Sequence, residues 1–92
     1  MKSIIEFQNS VFREGVNITV RKGTKWINKN PSNIIVLDKY IKKFNKLTTT
    51  ELQLLHDSEL SNYFKLLKEM KKYYLKFTEN SVITVIWFIL DK

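Results

Sequence analysis

One segment constrains this chain more than any other. From Ser81 to Leu90 (SVITVIWFIL) nearly every residue is apolar, and β-branched and aromatic side chains dominate. Such a run suits a strand covered on both faces, since neither set of alternating side chains is fit for water. It is about half the length that a bilayer-spanning helix needs. A strand of this kind belongs in the middle of a sheet, so the rest of the chain must supply neighbours on both sides and a layer on each face.

The neighbours are visible upstream. Asn17 to Arg21 (NITVR) alternates, with Ile18 and Val20 on one side and Asn17, Thr19 and Arg21 on the other, which predicts a half-buried strand with a polar face. Ile34 to Asp38 (IIVLD) predicts a short buried strand that can run on into the basic KYIKKF. Ser3 to Gln8 (SIIEFQ) predicts a further strand, followed by a turn or short helix that reaches Gly15. Between the second and third strands, KGTKWINKNPSN carries Gly23, Pro31 and three Asn and reads as a basic loop.

Two helices complete the layers. Thr48 and Glu51 have the spacing of a capping box, and Leu52 and Leu55 give the short helix behind it an apolar face. From Asn62 to Lys76, with Ser61 as the expected cap, Tyr63, Phe64, Leu67, Met70, Tyr74 and Phe77 recur at spacings of three and four. Lys65, Lys68, Glu69, Lys72 and Lys76 fall mostly on the opposite side, which predicts an amphipathic helix with a solvated basic face. The order of elements does not alternate strand with helix, so the expected class is α+β with a small curved sheet.

Composition narrows the function. The 92 residues suffice for a single domain spanning 1–92, and 43% hydrophobic with 27% charged residues is a globular balance. The chain has no cysteine and one histidine, His56, which excludes disulfide scaffolds, thiolate metal sites and cysteine nucleophiles. No metal or other cofactor is expected. The N-terminal stretch lacks the long apolar run of a secretory signal, so a cytoplasmic protein without membrane attachment is the expectation.

The formal charge is +7, and all of it lies in the first half. Residues 1–46 hold ten basic and three acidic side chains, whereas residues 47–92 hold six of each. An anionic partner follows from that asymmetry. Arg21, Lys22, Lys25 and Lys29, joined by Lys39, Lys42 and Lys43, could hold phosphates while Trp26 or Tyr40 stacks on a base. Read plainly, the same residues are a lysine-rich solvated surface with Trp26 over the core. His56 beside Asp57 is expected at a surface or helix end, since no motif places a nucleophile with it, and Trp87 is expected in the core.

Three stretches carry a family resemblance. Gly15 is followed by VNITVR, FNKLTTTEL lies in the middle, and KEMKKYYLKFTENSVITVIWF closes the chain. In this order they resemble the ASCH family, small RNA-associated domains of the PUA-like β-barrel superfamily. The resemblance implies a reduced barrel or half-barrel of four to five strands with two helices, and it adds Thr19 to the expected nucleic-acid site. An enzymatic branch of the family hydrolyses acetylated cytidine with a lysine, a threonine and a glutamate. Here the threonine is matched by Thr19, the lysine position is Val16, and Glu51, Asp57 and Glu59 are the candidates for the acid. A valine cannot act as base or nucleophile, so a non-catalytic RNA-binding domain is expected.

Two alternatives remain. One is a small inhibitor or adaptor of the kind phages encode, which would engage a protein partner through the degraded site or an open sheet edge. The other is a residual amidohydrolase. Family members have further strands after the arginine strand, and their absence here predicts an edge that pairs with a second copy or a partner.

Overall fold

The structure is a computed structural model and describes residues 4–7, 12, 14–57 and 60–90. Three antiparallel strands form one open sheet: β1 (Asn17–Lys22), β2 (Ile34–Lys43) and β3 (Val82–Leu90), in the spatial order β1-β3-β2. The last strand is therefore the central one, as its composition requires. Its side chains alternate between two apolar clusters. Ile83 and Val85 join Ile18, Val20, Phe44, Leu52, Leu55, Leu66, Met70 and Phe77 on one face. Ile86 and Phe88 join Ile5 and Ile34 on the other. Both faces of β3 are covered, and Ile83 and Val85 belong to the core.

The helices lie on the first face. Helix α1 (Thr49–Gln53) is started by the expected capping box: Glu51 N–H donates to Thr48 Oγ1, and Thr48 N–H donates to the Glu51 carboxylate. Helix α2 (Tyr63–Tyr73) is capped by Asn62 rather than Ser61, with Asn62 Oδ1 accepting from Phe64 and Lys65 N–H. It stops three residues short of Lys76, because Tyr74 turns extended and Lys76 takes a left-handed φ of 66°. Leu66 and Met70 point into the core, while Lys65, Lys68 and Lys72 are exposed as expected.

Three features depart from the sequence expectation. The sheet has three strands among the described residues rather than four to five. Residues 4–7, the described part of the expected Ser3–Gln8 strand, join no ladder. They run extended over the second face, tied by a reciprocal clasp in which Ile5 N–H donates to Asn33 Oδ1 (3.1 Å) and Asn33 Nδ2 donates to Ile5 O (2.9 Å). That cover explains the second departure: the polar side of β1 is not solvated, since Asn17 and Thr19 are 0% and 1% exposed. The third is β2, which runs on through KYIKK as the reading allowed but is not the buried strand expected: only Ile34 is buried, Ile35, Leu37 and Ile41 are exposed, and Leu37 forms a bulge. Val36 pairs with Phe88 and Asp38 with Trp87, so Leu37 is the extra residue and its side chain is half exposed.

The two long edges of the sheet differ. Beyond β1, Ile18 N–H donates to Leu54 O and His56 N–H donates to Ile18 O, which adds a short parallel bridge. Among the described residues nothing bonds the outer edge of β2. At the end of β1, Gly23 adopts φ 80°, which a side chain would strain. Its N–H donates to Val82 O and its carbonyl accepts from the buried Thr84 hydroxyl.

Candidate nucleic-acid interface

Side chains at the end of β1, on the turn after it and at the end of α2 enclose a cleft of about 340 Å³, lined by Ile4, Glu6, Arg21, Lys22, Lys25, Trp26 and Tyr74. Four of the nine residues expected at the site, Arg21, Lys22, Lys25 and Trp26, thus meet in one place. The basic loop is not shapeless there. Lys25–Asn28 forms one 3₁₀ turn, closed by Ile27 N–H to Thr24 O and Lys29 N–H to Trp26 O, and it aims Lys25 and Trp26 at the same opening.

Arg21 is the best-held cation of the set. Its Nε donates to Thr19 Oγ1 at 3.1 Å and its Nη2 to Glu6 O at 2.5 Å, while the guanidinium lies 5.2 Å from the Phe7 ring centroid. Burial pushes its pKa below the ordinary value, partly offset by Tyr74 and Glu6, yet an arginine stays charged at neutral pH. Lys22 lies over Tyr74, with its ammonium 5.9 Å from the ring, and Lys22 and Lys25 are exposed. Thr19 serves the site through Arg21 and is itself buried.

Three of the four remaining expected lysines make contacts elsewhere. Lys39 Nζ donates to Lys29 O (2.9 Å), Trp26 O (3.4 Å) and Asn30 Oδ1 (3.2 Å), so it fastens the basic turn to β2. Trp26 packs against the cluster of Ile5, Ile34, Ile86 and Phe88, as the plain reading expects, and Lys29 lies over its ring at 5.5 Å. Lys42 is bound to Glu51 at 2.7 Å on the helix-bearing face. Lys43 is exposed at the same end of the sheet as Lys22, since Lys43 pairs with Val82 and Lys22 with Ile83. Tyr40 donates its hydroxyl to Glu51 and accepts from Trp87 Nε1, and it packs against the core on the helix-bearing face, away from the cleft.

A second cavity of about 260 Å³ shares Arg21, Glu6 and Tyr74 with the cleft and adds Thr19, His56, Asp57, Glu69 and Tyr73. His56 is half-buried, just beyond the end of α1. Its ring packs on Phe7 at 5.0 Å and Phe12 at 5.9 Å, and burial together with the Arg21 charge lowers its pKa to about 4. It is neutral at pH 7. Of the candidate acids, Asp57 lines this cavity with Thr19. Glu51 lies across the sheet, bonded to Tyr40 and Lys42 on the face opposite Thr19, and Glu59 lies outside the described residues. Ile4, Glu6 and Tyr74, which complete the cleft, carry no sequence signal of their own. Glu6 stands in an isolated strand-like stretch and Tyr74 fits the apolar helix pattern. No protein-family model, curated protein or solved structure matches the chain.

Proposed function

We propose that this chain is a non-catalytic RNA-binding domain of the ASCH type, taking a single strand along the cleft of Arg21, Lys22, Lys25 and Trp26. The observation that carries the reading is the convergence of three cations on one indole, with Glu6 the one carboxylate among the residues lining that cleft. Such a mixture suits phosphates alternating with exposed bases. Three antiparallel strands are compatible with part of a PUA-like barrel. Catalysis is not favoured, because Val16 stands at the lysine position, Thr19 Oγ1 accepts from Arg21, and His56, its pKa lowered to about 4 among aromatic rings, is a weak base.

The reading is tested by titrating single-stranded RNA at several salt concentrations. Three phosphate contacts give a log-log slope of about −2, since each contributes about 0.7 on a single strand. Lys22→Gln with Lys25→Gln should flatten that slope towards that of a single contact. Trp26→Ala should cost about 1–3 kcal/mol with the slope unchanged. Lys65→Gln with Lys68→Gln removes the same charge from the exposed face of α2 and should leave affinity nearly intact. Equal losses from both lysine pairs would show diffuse polycation attraction and remove the site. No binding at low salt would remove the RNA reading and leave the protein-partner one.

A further inference from the structure

Glu6 is out of place in a cleft built for phosphates. A carboxylate repels them, yet Glu6 lines the same opening as Arg21, Lys22, Lys25 and Trp26. It is not there as a counter-ion, because among the described residues no cation comes within ion-pair distance of its side chain. Other carboxylates are engaged: Glu51 accepts from Lys42 and Tyr40, Glu79 from Tyr63, and Asp38 from the Lys39 amide. The Glu6 side chain is exposed and makes no such bond among the described residues. Its backbone, by contrast, is pinned. Ile5, only 1% exposed, has both its N–H and its C=O on Asn33, and Glu6 O accepts from Arg21 Nη2. A free carboxylate on a fixed main chain is thus held out to whatever enters the cleft.

We propose that Glu6 is a base-reading residue that selects guanine in the strand bound at this cleft, an inference that rests on the RNA reading above. A carboxylate accepts and does not donate, so it bonds the N–H groups of a base and finds no partner on a phosphate. On the edges that a single strand leaves open, adenine and cytosine each offer one amino group and uracil one ring N–H. Guanine offers N1–H and the 2-amino group side by side, which the two oxygens of one carboxylate meet at once. The division of roles follows from the side chains: Arg21, Lys22 and Lys25 take phosphates, Trp26 takes the face of the base and Glu6 takes its edge. The carboxylate lowers affinity for a strand in general and restores it where a guanine stands, which is how specificity arises as a difference of affinities.

Fluorescence anisotropy at low salt, with oligouridylate against the same oligomer carrying one central guanosine, tests this role. The guanosine oligomer should bind about tenfold tighter, and adenosine or cytidine at that position should fall between the two. Inosine keeps the ring N–H and lacks the 2-amino group, so it should lose most of the preference. Glu6→Gln retains the backbone bond to Arg21, removes a negative charge and breaks the two-oxygen match. It should bind the guanosine oligomer more weakly and oligouridylate at least as tightly as before. A carboxylate acting by charge alone weakens all sequences alike and gives no such crossing of signs. Equal affinity of the unaltered chain for both oligomers would overturn the inference and leave the RNA reading in place. A guanosine preference that survives Glu6→Gln would also overturn it. If no oligomer binds, both the RNA reading and this role of Glu6 fall.

Discussion

Glu51 is the residue on which most polar bonds of the helix-bearing face converge. Its side chain is almost fully buried, and it accepts from Lys42 Nζ, the Tyr40 hydroxyl and Thr48 N–H, while Trp87 Nε1 in turn donates to Tyr40. Burial alone would raise its pKa, but the bonds from Lys42, Tyr40 and Thr48 outweigh it and hold the carboxyl below the ordinary 4.5. A depressed carboxylate pKa gives stability that is complete above 4.5 and is lost as pH falls through the lower folded value. Glu51→Ala strands Lys42 and Tyr40 together and should cost about 3–5 kcal/mol in urea unfolding at pH 7. His56 acts in a different window. Its folded pKa of about 4 lies below the ordinary 6.5, so the unfolded chain takes up a proton first as pH falls. Stability should be flat above 6.5 and decline between 6.5 and 4 by ~2 kcal/mol once partial exposure is discounted. His56→Leu should remove that decline and leave the acid limb below 4.5, which a pH series of urea midpoints would resolve.

At the scale of elements, what was legible and what was not separates along physical lines. Local chemistry was readable: the Thr48–Glu51 box, the alternation of Ile18 and Val20, and the doubly apolar β3 each follow from neighbours in sequence. Non-local choices were not. Ser61 and Asn62 are both competent caps by residue type, and the helix is capped by Asn62. The stretch at residues 4–7 has strand-forming residues, but Asn33, 28 residues away, provides its backbone partners in place of a strand. In the site, the clustering of Arg21, Lys22, Lys25 and Trp26 followed the charge run, whereas the diversion of Lys39 and Lys42 depended on contacts across the fold. Capping is testable here. Asn62→Ala removes the acceptor for two helix amides and should cost about 1 kcal/mol, with loss of amide protection confined to the first turn of α2.

The molecule as a whole has one sheet and two unequal covers. Among the described residues one face has helices, a capping box and a buried polar network, and the other has the segment at residues 4–7, an aromatic cluster and the clasp at Asn33. The cover on this second face also shapes the cleft, since Glu6 O fixes the Arg21 guanidinium and Ile4 and Glu6 form part of the wall. Stability and binding are therefore coupled through Asn33, although it touches neither the cleft nor Arg21 in the bonds described. Asn33→Ala leaves both the N–H and the C=O of Ile5 without their partner beside a buried side chain, at a cost of about 1–3 kcal/mol. The loss should fall on the segment first, as faster exchange of the Ile5 amide while the amides of β3 keep their protection. RNA affinity should fall with it, because Arg21 then spends less time in the position that Glu6 O defines. The salt slope should stay at about −2, since no phosphate-contacting cation has been removed. An Asn33→Ala chain with a loosened segment and unchanged RNA affinity would show that Arg21 is positioned by Thr19 and Phe7 alone, and that the cover on this face serves the core but not the site.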